Sequence, residues 1–226
     1  MSYYVFLIYY KLIYGKIDKN ATIEASKNGD IKFLEWFKNS SYEFKYDEYA
    51  INCASDNGNI QVLEWFKNSG YEFKYDEWAI NDASTNGHVY VLEWFKNSGY
   101  EFKYNEMAIL YASENEHIQV LEWFKNSGYE FKYDARAING ACYYGRIQVL
   151  EWFKNSGYEF KYYKNVIYFA FGYKDVIYFG YKKIRVLEWL KNYCNIKKII
   201  KISNSEYNKT IKFKTKNNYI KGYNKN

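Results

Sequence analysis

Two histidines, His88 and His117, and three cysteines, Cys53, Cys142 and Cys194, are the side chains here that could support nucleophilic or metal chemistry. A thiolate nucleophile needs a base beside it, and a metal site needs several Cys, His or carboxylate ligands brought together. Neither pattern is written in this chain. The histidines stand 29 residues apart in turn-like sequence, and neither Cys53 nor Cys142 has a histidine in its own block. No CxxC, HExxH, GxSxG or phosphate-cradling glycine loop occurs. Acid pairs recur at Asp47-Glu48 and Asp76-Glu77. They precede helical sequence, where acids cap the first turn and face the positive end of the helix dipole, which accounts for them better than acid–base catalysis does. The chain is therefore expected to be no enzyme, with no cofactor and no metal.

The elements that carry these residues repeat. Trp36, Trp65, Trp94, Trp123 and Trp152 fall 29 residues apart, inside blocks close to LEWFKNSGYEFKY. The block from Asp47 to Tyr75 serves as the type. Asp47 is placed to cap a helix, in a column that reads Asp18, Asp47, Asp76, Asn105 and Asp134. Ala50, Ile51, Ala54 and Ser55 share one helical face, and Asn57-Gly58 ends the helix with a residue suited to left-handed backbone. The glycine column reads Gly29, Gly58, Gly87, Glu116 and Gly145, so a strained turn is expected at Glu116. A second helix buries Val62, Leu63 and Phe66, wedges Trp65 between units, and leaves Glu64 and Lys67 to pair in solvent. Tyr71, Phe73 and Tyr75 then alternate with Glu72 and Lys74 in an extended connector whose rings can stack on their neighbours.

Helices of about ten residues are marginal alone in water, so the units must bury their apolar faces against one another. The expected fold is all-α, a solenoid of stacked helix-turn-helix repeats. Residues 1–17 read as a degenerate half-unit capping the row, 18–162 as five full units, and 163–196 as an irregular closing unit whose tryptophan, Trp189, comes eight residues late. Residues 197–226 read as a basic, disordered tail.

Composition narrows the class further. Apolar residues make up 48% of the chain and aromatic residues 23%, enough for a continuous core. The net charge of +6 is uneven: residues 191–226 hold ten lysines against Glu206 alone, +9, which leaves −3 on residues 1–190. Three widely spaced cysteines argue for reduced thiols and an intracellular, cytoplasmic setting. The apolar start from Val5 to Tyr14 is interrupted by Lys11, lacks the marks of a signal peptide and is too short to span a bilayer.

The unit resembles the ankyrin repeat. Trp78-Ala79-Ile80-Asn81-Asp82-Ala83-Ser84 stands where that family has its TPLHxAA motif, Gly87-His88 where it has Gly-His, Val91-Leu92-Glu93-Trp94-Phe95 where it has VVxLL, and Gly99 closes. The resemblance covers about residues 1–193. It departs in lacking every Thr-Pro pair, and its connector is about four residues short of the roughly 33-residue family repeat. Short copies of this kind look most like the ankyrin proteins of giant DNA viruses of amoebae. That likeness implies a monomeric, non-catalytic protein-binding scaffold, acting in the host cytoplasm on a host protein. Some viral ankyrin proteins are adaptors for a host ubiquitin ligase, although no recruitment module stands beside this array.

Comparison of the blocks with one another separates fixed columns from variable ones. The variable columns are Asn20, Tyr49, Trp78, Met107, Arg136; Glu24, Cys53, Asp82, Tyr111, Gly140; and Lys27, Asp56, Thr85, Glu114, Tyr143. Their spacing of four and then three puts them on one stripe of the first helix, opposite the alanine face. In ankyrin-like stacks that stripe lines the concave partner-binding groove. Solvent-facing positions also drift without function, but Trp78, Met107 and Tyr111 are of types favoured at interface centres. The candidate partner-binding residues are thus Tyr49, Cys53, Asp56, Trp78, Asp82, Thr85, Met107, Tyr111, Glu114, Arg136 and Tyr143. The alternative site is the tail, where Lys197, Lys198, Lys201, Lys209, Lys212, Lys214 and Lys216, interleaved with aromatic rings, could bind nucleic acid or an anionic surface by counterion release and stacking. A solvated end with no ligand is the plainer account of the same residues.

Overall fold

A computed structural model describes residues 18–163, 166 and 180–193. Among the described residues there are eleven α-helices and no strand. They alternate as first and second helices of successive units: α1 (Lys19–Asn28) with α2 (Ile31–Asn39), α3 (Glu48–Asp56) with α4 (Ile60–Asn68), and α5 (Trp78–Thr85) with α6 (Val89–Ser98). The row continues through α7 (Glu106–Glu114) with α8 (Ile118–Asn126) and α9 (Ala135–Tyr144) with α10 (Ile147–Ser156), and α11 (Gly180–Tyr193) packs on both α9 and α10. Each first helix lies against the first helices before and after it. The core is therefore a continuous line, not a centre.

The expected faces are the buried ones. Ala50, Ile51, Ala54 and Ser55 are fully buried, as are Val62, Leu63 and Phe66. Phe37, Phe66, Phe95, Phe124 and Phe153 form a buried file along the second helices. Burying one such ring contributes about 1.5–3 kcal/mol, and these rings meet their apolar surroundings only when the units stack.

Helix starts follow the cap column with one correction. Asp18 accepts the Asn20 amide at 2.9 Å, Asp76 that of Trp78 at 3.0 Å, Asn105 that of Met107 at 3.0 Å, and Asp134 that of Arg136 at 2.8 Å. Asp47 precedes α3 but accepts no helix amide; its carboxylate is drawn to the Lys19 ammonium at 2.7 Å. The caps also differ in what else holds their side chains. Asn52 Nδ2 donates to Asp76 at 2.7 Å and Asn81 Nδ2 to Asn105 at 3.1 Å, so each cap is tied to the preceding helix. Where that asparagine is replaced by Ile23 or Leu110, a cation takes its place, Lys19 on Asp47 and Arg136 on Asp134 at 2.8 Å. The apolar substitution removes the neutral donor, and a charged one on the surface replaces it.

Gly29, Gly58, Gly87 and Gly145 end the first helices with φ between 70° and 75°. Glu116 adopts the same left-handed conformation, φ 64°, the one non-glycine residue with positive φ among the described residues. An L side chain there costs roughly 1–2 kcal/mol.

The joints between second helices depart from expectation. Glu64 and Lys67 do not pair with each other. Glu64 accepts the indole N–H of Trp94 in the next unit, and the Lys67 ammonium lies 5.7 Å from the centre of that ring. Trp65 donates to Glu35 at 2.6 Å, Trp123 to Glu93 at 2.8 Å and Trp152 to Glu122 at 2.5 Å, while Lys38, Lys96 and Lys125 cover the same three indoles at 5.9 Å. An acceptor and a cation are both better placed on the neighbour's indole than on each other. The carboxylate meets the N–H edge, and the ammonium meets the electron-rich face.

The connectors complete each joint. Phe73 stacks on Tyr100, Phe102 on Tyr129 and Phe131 on Tyr158, all at 4.3 Å, and Phe44 on Tyr71 at 4.8 Å. The hydroxyls of Tyr46, Tyr75 and Tyr104 donate to the carbonyls of Glu72, Glu101 and Glu130, and Tyr133 donates to that of Glu159 at 2.6 Å. The extended connector satisfies backbone acceptors with the preceding unit's tyrosine instead of with a second strand.

Candidate functional site

The stripe opposite the alanine face is uneven. Tyr49, Trp78 and Tyr143 are 58%, 42% and 44% exposed, whereas the adjoining Ala50 and Ala79 are fully buried. Met107 and Tyr111, expected to be exposed, are half-buried. Cys53, Asp56, Asp82, Thr85, Glu114 and Arg136 are half-buried too. Arg136 is not presented outward as a free cation: its guanidinium folds back on Asp134, with Nε 2.8 Å from one carboxylate oxygen and 3.1 Å from the other. Thr85 turns its hydroxyl inward to the Asn81 carbonyl at 2.8 Å.

Carboxylates dominate what remains. Asp56 is held by the side-chain amides of Asn86 at 2.6 Å and Asn57 at 3.2 Å. Asp82 has no ion-pair partner among the described residues; burial, followed by the neighbouring Asp56 and Asp76 charges, pushes its pKa up to about 6. Burial likewise raises the pKa of Glu114. The Glu114 side chain lies over α9 at Gly140, where an added Cβ would come within 2.7 Å of it. Gly140 therefore makes room for a neighbour's carboxylate, a pairing that comparing blocks column by column does not reveal.

The chemistry-bearing residues have structural duties. His88 Nε2 lies 3.0 Å from the Asp56 carbonyl, at the end of the preceding first helix. The same position in other units carries Asn59, which donates to the Ser26 and Lys27 carbonyls at 2.9 and 2.8 Å, and Arg146, whose Nε donates to the Glu114 carbonyl at 2.6 Å. His117 is held likewise by the Thr85 carbonyl, although burial outweighs that bond and lowers its pKa. The signal was present in the sequence as a column of N–H donors, Asn59, His88, His117 and Arg146. Cys142 is fully buried, and burial, with Asp56 next, pushes the half-buried Cys53 thiol up and away from thiolate character. Among the described residues no group of three His, Cys, Asp or Glu is placed to hold a metal ion, and no helix is long and apolar enough to cross a membrane. Cys194 and the tail lysines Lys197, Lys198, Lys201, Lys209, Lys212, Lys214 and Lys216 lie outside the described residues.

A hollow, open to solvent and about 660 Å³ in volume, lies between α4 and α6 over Ile60, Val89, Tyr90 and Trp94. Tyr90, 50% exposed, replaces the glutamine found at this position in three other units, and its hydroxyl contacts His88 Nδ1 at 3.1 Å.

No protein-family model matches the chain, and no curated protein does.

Proposed function

We propose that this chain is a solenoid of ankyrin-like repeats that serves as a non-catalytic scaffold, holding a partner protein on the stripe formed by its first helices. The observation that carries this reading is the exposure of Tyr49 and Trp78 at the same stripe position of adjacent units, beside fully buried alanines. A tryptophan left 42% exposed on an otherwise well-packed helix retains about 1 kcal/mol of available burial, and aromatic anchors of this kind dominate binding at protein interfaces. The interior offers little else for function to use, since its histidines cap helices and its buried thiol is packed.

The stripe is modest in size. Three positions in each of five units fall short of the roughly 20–30 residues per side of a standard interface, so connector residues such as Glu72 and Glu101 would complete the contact. The test is affinity capture from host-cell lysate with Tyr49→Ala/Trp78→Ala, set beside charge reversal at Lys209, Lys212, Lys214 and Lys216. Loss of captured partners only in the first variant supports the stripe. Loss only in the second transfers the function to the tail.

A further inference from the structure

The stripe has a charge character that selects among partners, and the inference rests on the reading just given. From α3 to α7 its acids are Asp56, Asp82 and Glu114, flanked at the helix starts by Glu48, Glu77 and Glu106. Among nearby cations Arg136 lies on Asp134, and Arg146 on the Glu114 carbonyl and, at 3.8 Å, on Glu116, while exposed Lys27, one unit upstream on the stripe, is felt at Cys53 and not at Asp82 or Glu114. Asp82 and Glu114 are half-buried acids without an ion-pair partner among the described residues, in adjacent units of the stripe that exposes Trp78. A half-buried acid is costly to ionise unless a positive charge meets it.

We propose that the occupant of the stripe is an extended, lysine- or arginine-rich segment of a partner protein, its cations meeting Asp82 and Glu114 and its alkyl stems lying across Trp78 and Tyr49. Packed helices stand about 8–10 Å apart, and a chain extended as polyproline II rises about 3.1 Å per residue with about three residues per turn, so basic side chains three residues apart fall on one face at the unit spacing. The aromatic faces suit the same ligand, since lysine and arginine stems bury on rings while their charges remain paired.

The arrangement carries a signature that a merely sticky surface lacks. Titratable groups facing Asp82 are Asp56 and the Cys53 thiol from α3 and Asp76 from its own unit, with Tyr111 and Glu114 on the stripe of α7. A bound cation would favour ionised Asp82, so binding must release a proton, and affinity must rise as pH passes upward through about 6.

The experiment is calorimetric titration of the full chain with a synthetic peptide bearing lysine at every third position, and with its glutamate counterpart. The lysine peptide is expected to bind and the glutamate peptide not to. Asp82→Asn and Glu114→Gln should each weaken binding about tenfold, and Asp82→Asn should flatten the pH dependence. Equal binding of both peptides, or unchanged affinity in both variants, overturns the proposal. So does lysine-peptide binding that appears only after charge reversal at Lys209, Lys212, Lys214 and Lys216, because the chain's own lysines would then be the occupant. If Tyr49→Ala/Trp78→Ala abolishes capture of a protein that the lysine peptide fails to displace, the stripe is a docking surface and only the basic partner is wrong. If the aromatic variant leaves both capture and peptide binding intact, the stripe itself fails.

Discussion

The Glu93 carboxylate accepts the indole N–H of Trp123 at 2.8 Å, across a joint and 30 residues along the chain. That bond, then the Asn97 side-chain amide, holds the Glu93 pKa below its ordinary value. A depressed acid stabilises the folded state above its unfolded pKa, near 4.5, and that contribution disappears as pH falls through the folded value. Trp123→Phe keeps an aromatic six-membered ring and removes the donor together with the pyrrole ring. It should lower stability by about 0.5–1.5 kcal/mol at neutral pH, with a smaller loss in acid, as read by denaturant unfolding at two pH values.

Asp82 shows the opposite sign. Its folded pKa is raised, so the folded state holds the proton more tightly than the unfolded chain does. Stability attributable to it declines as pH rises from 3.8 through about 6 and stays low above that. Discounted for partial exposure, the penalty near neutral pH is about 1–2 kcal/mol. Asp82→Asn should therefore stabilise the free protein near neutral pH and change little near pH 4. A uniform shift at both pH values would contradict this account.

Glu116 occupies a left-handed position that other units give to glycine. Glu116→Gly relieves that strain and forfeits only a long ion pair with Arg146 at 3.8 Å between partly exposed groups. A net gain of about 0.5–1 kcal/mol is expected in thermal or denaturant unfolding. A loss would mean the Arg146 contact outweighs the backbone.

Gly140 sits inside α9 with the Glu114 side chain over it. Gly140→Ala gains helix propensity of about 0.5–1 kcal/mol and pushes aside only a flexible side chain. The protein should become slightly more stable, and Glu114 should lose its raised pKa as it swings into water, which carboxyl titration by NMR would detect.

The sequence makes the helix pairs legible because apolar spacing and cap residues each recur five times and the glycine turn four times. Ala50, Ile51, Phe66 and Gly58 were all readable from one block. The joints were not, because they depend on two blocks at once. Glu64 and Lys67 look like a surface pair until Trp94 is placed beside them, and Gly140 looks like drift until Glu114 lies over it. Nor does a single block show that Met107 and Tyr111 are half-buried where Tyr49 and Trp78 of the same stripe are exposed. Identity of residues within a column reports what a unit needs; contact between columns reports what a pair of units needs.

Trp189 donates to Glu151 although 38 residues separate them, where every other such pair is 30 apart. The coupling hardware is therefore indifferent to how many residues separate one coupling from the next. Whole blocks could be added or excised and the new neighbours would still meet with matching hook and eye. Such a molecule can change its reach by gene-level copying alone, lengthening its docking face one unit at a time without inventing a new contact.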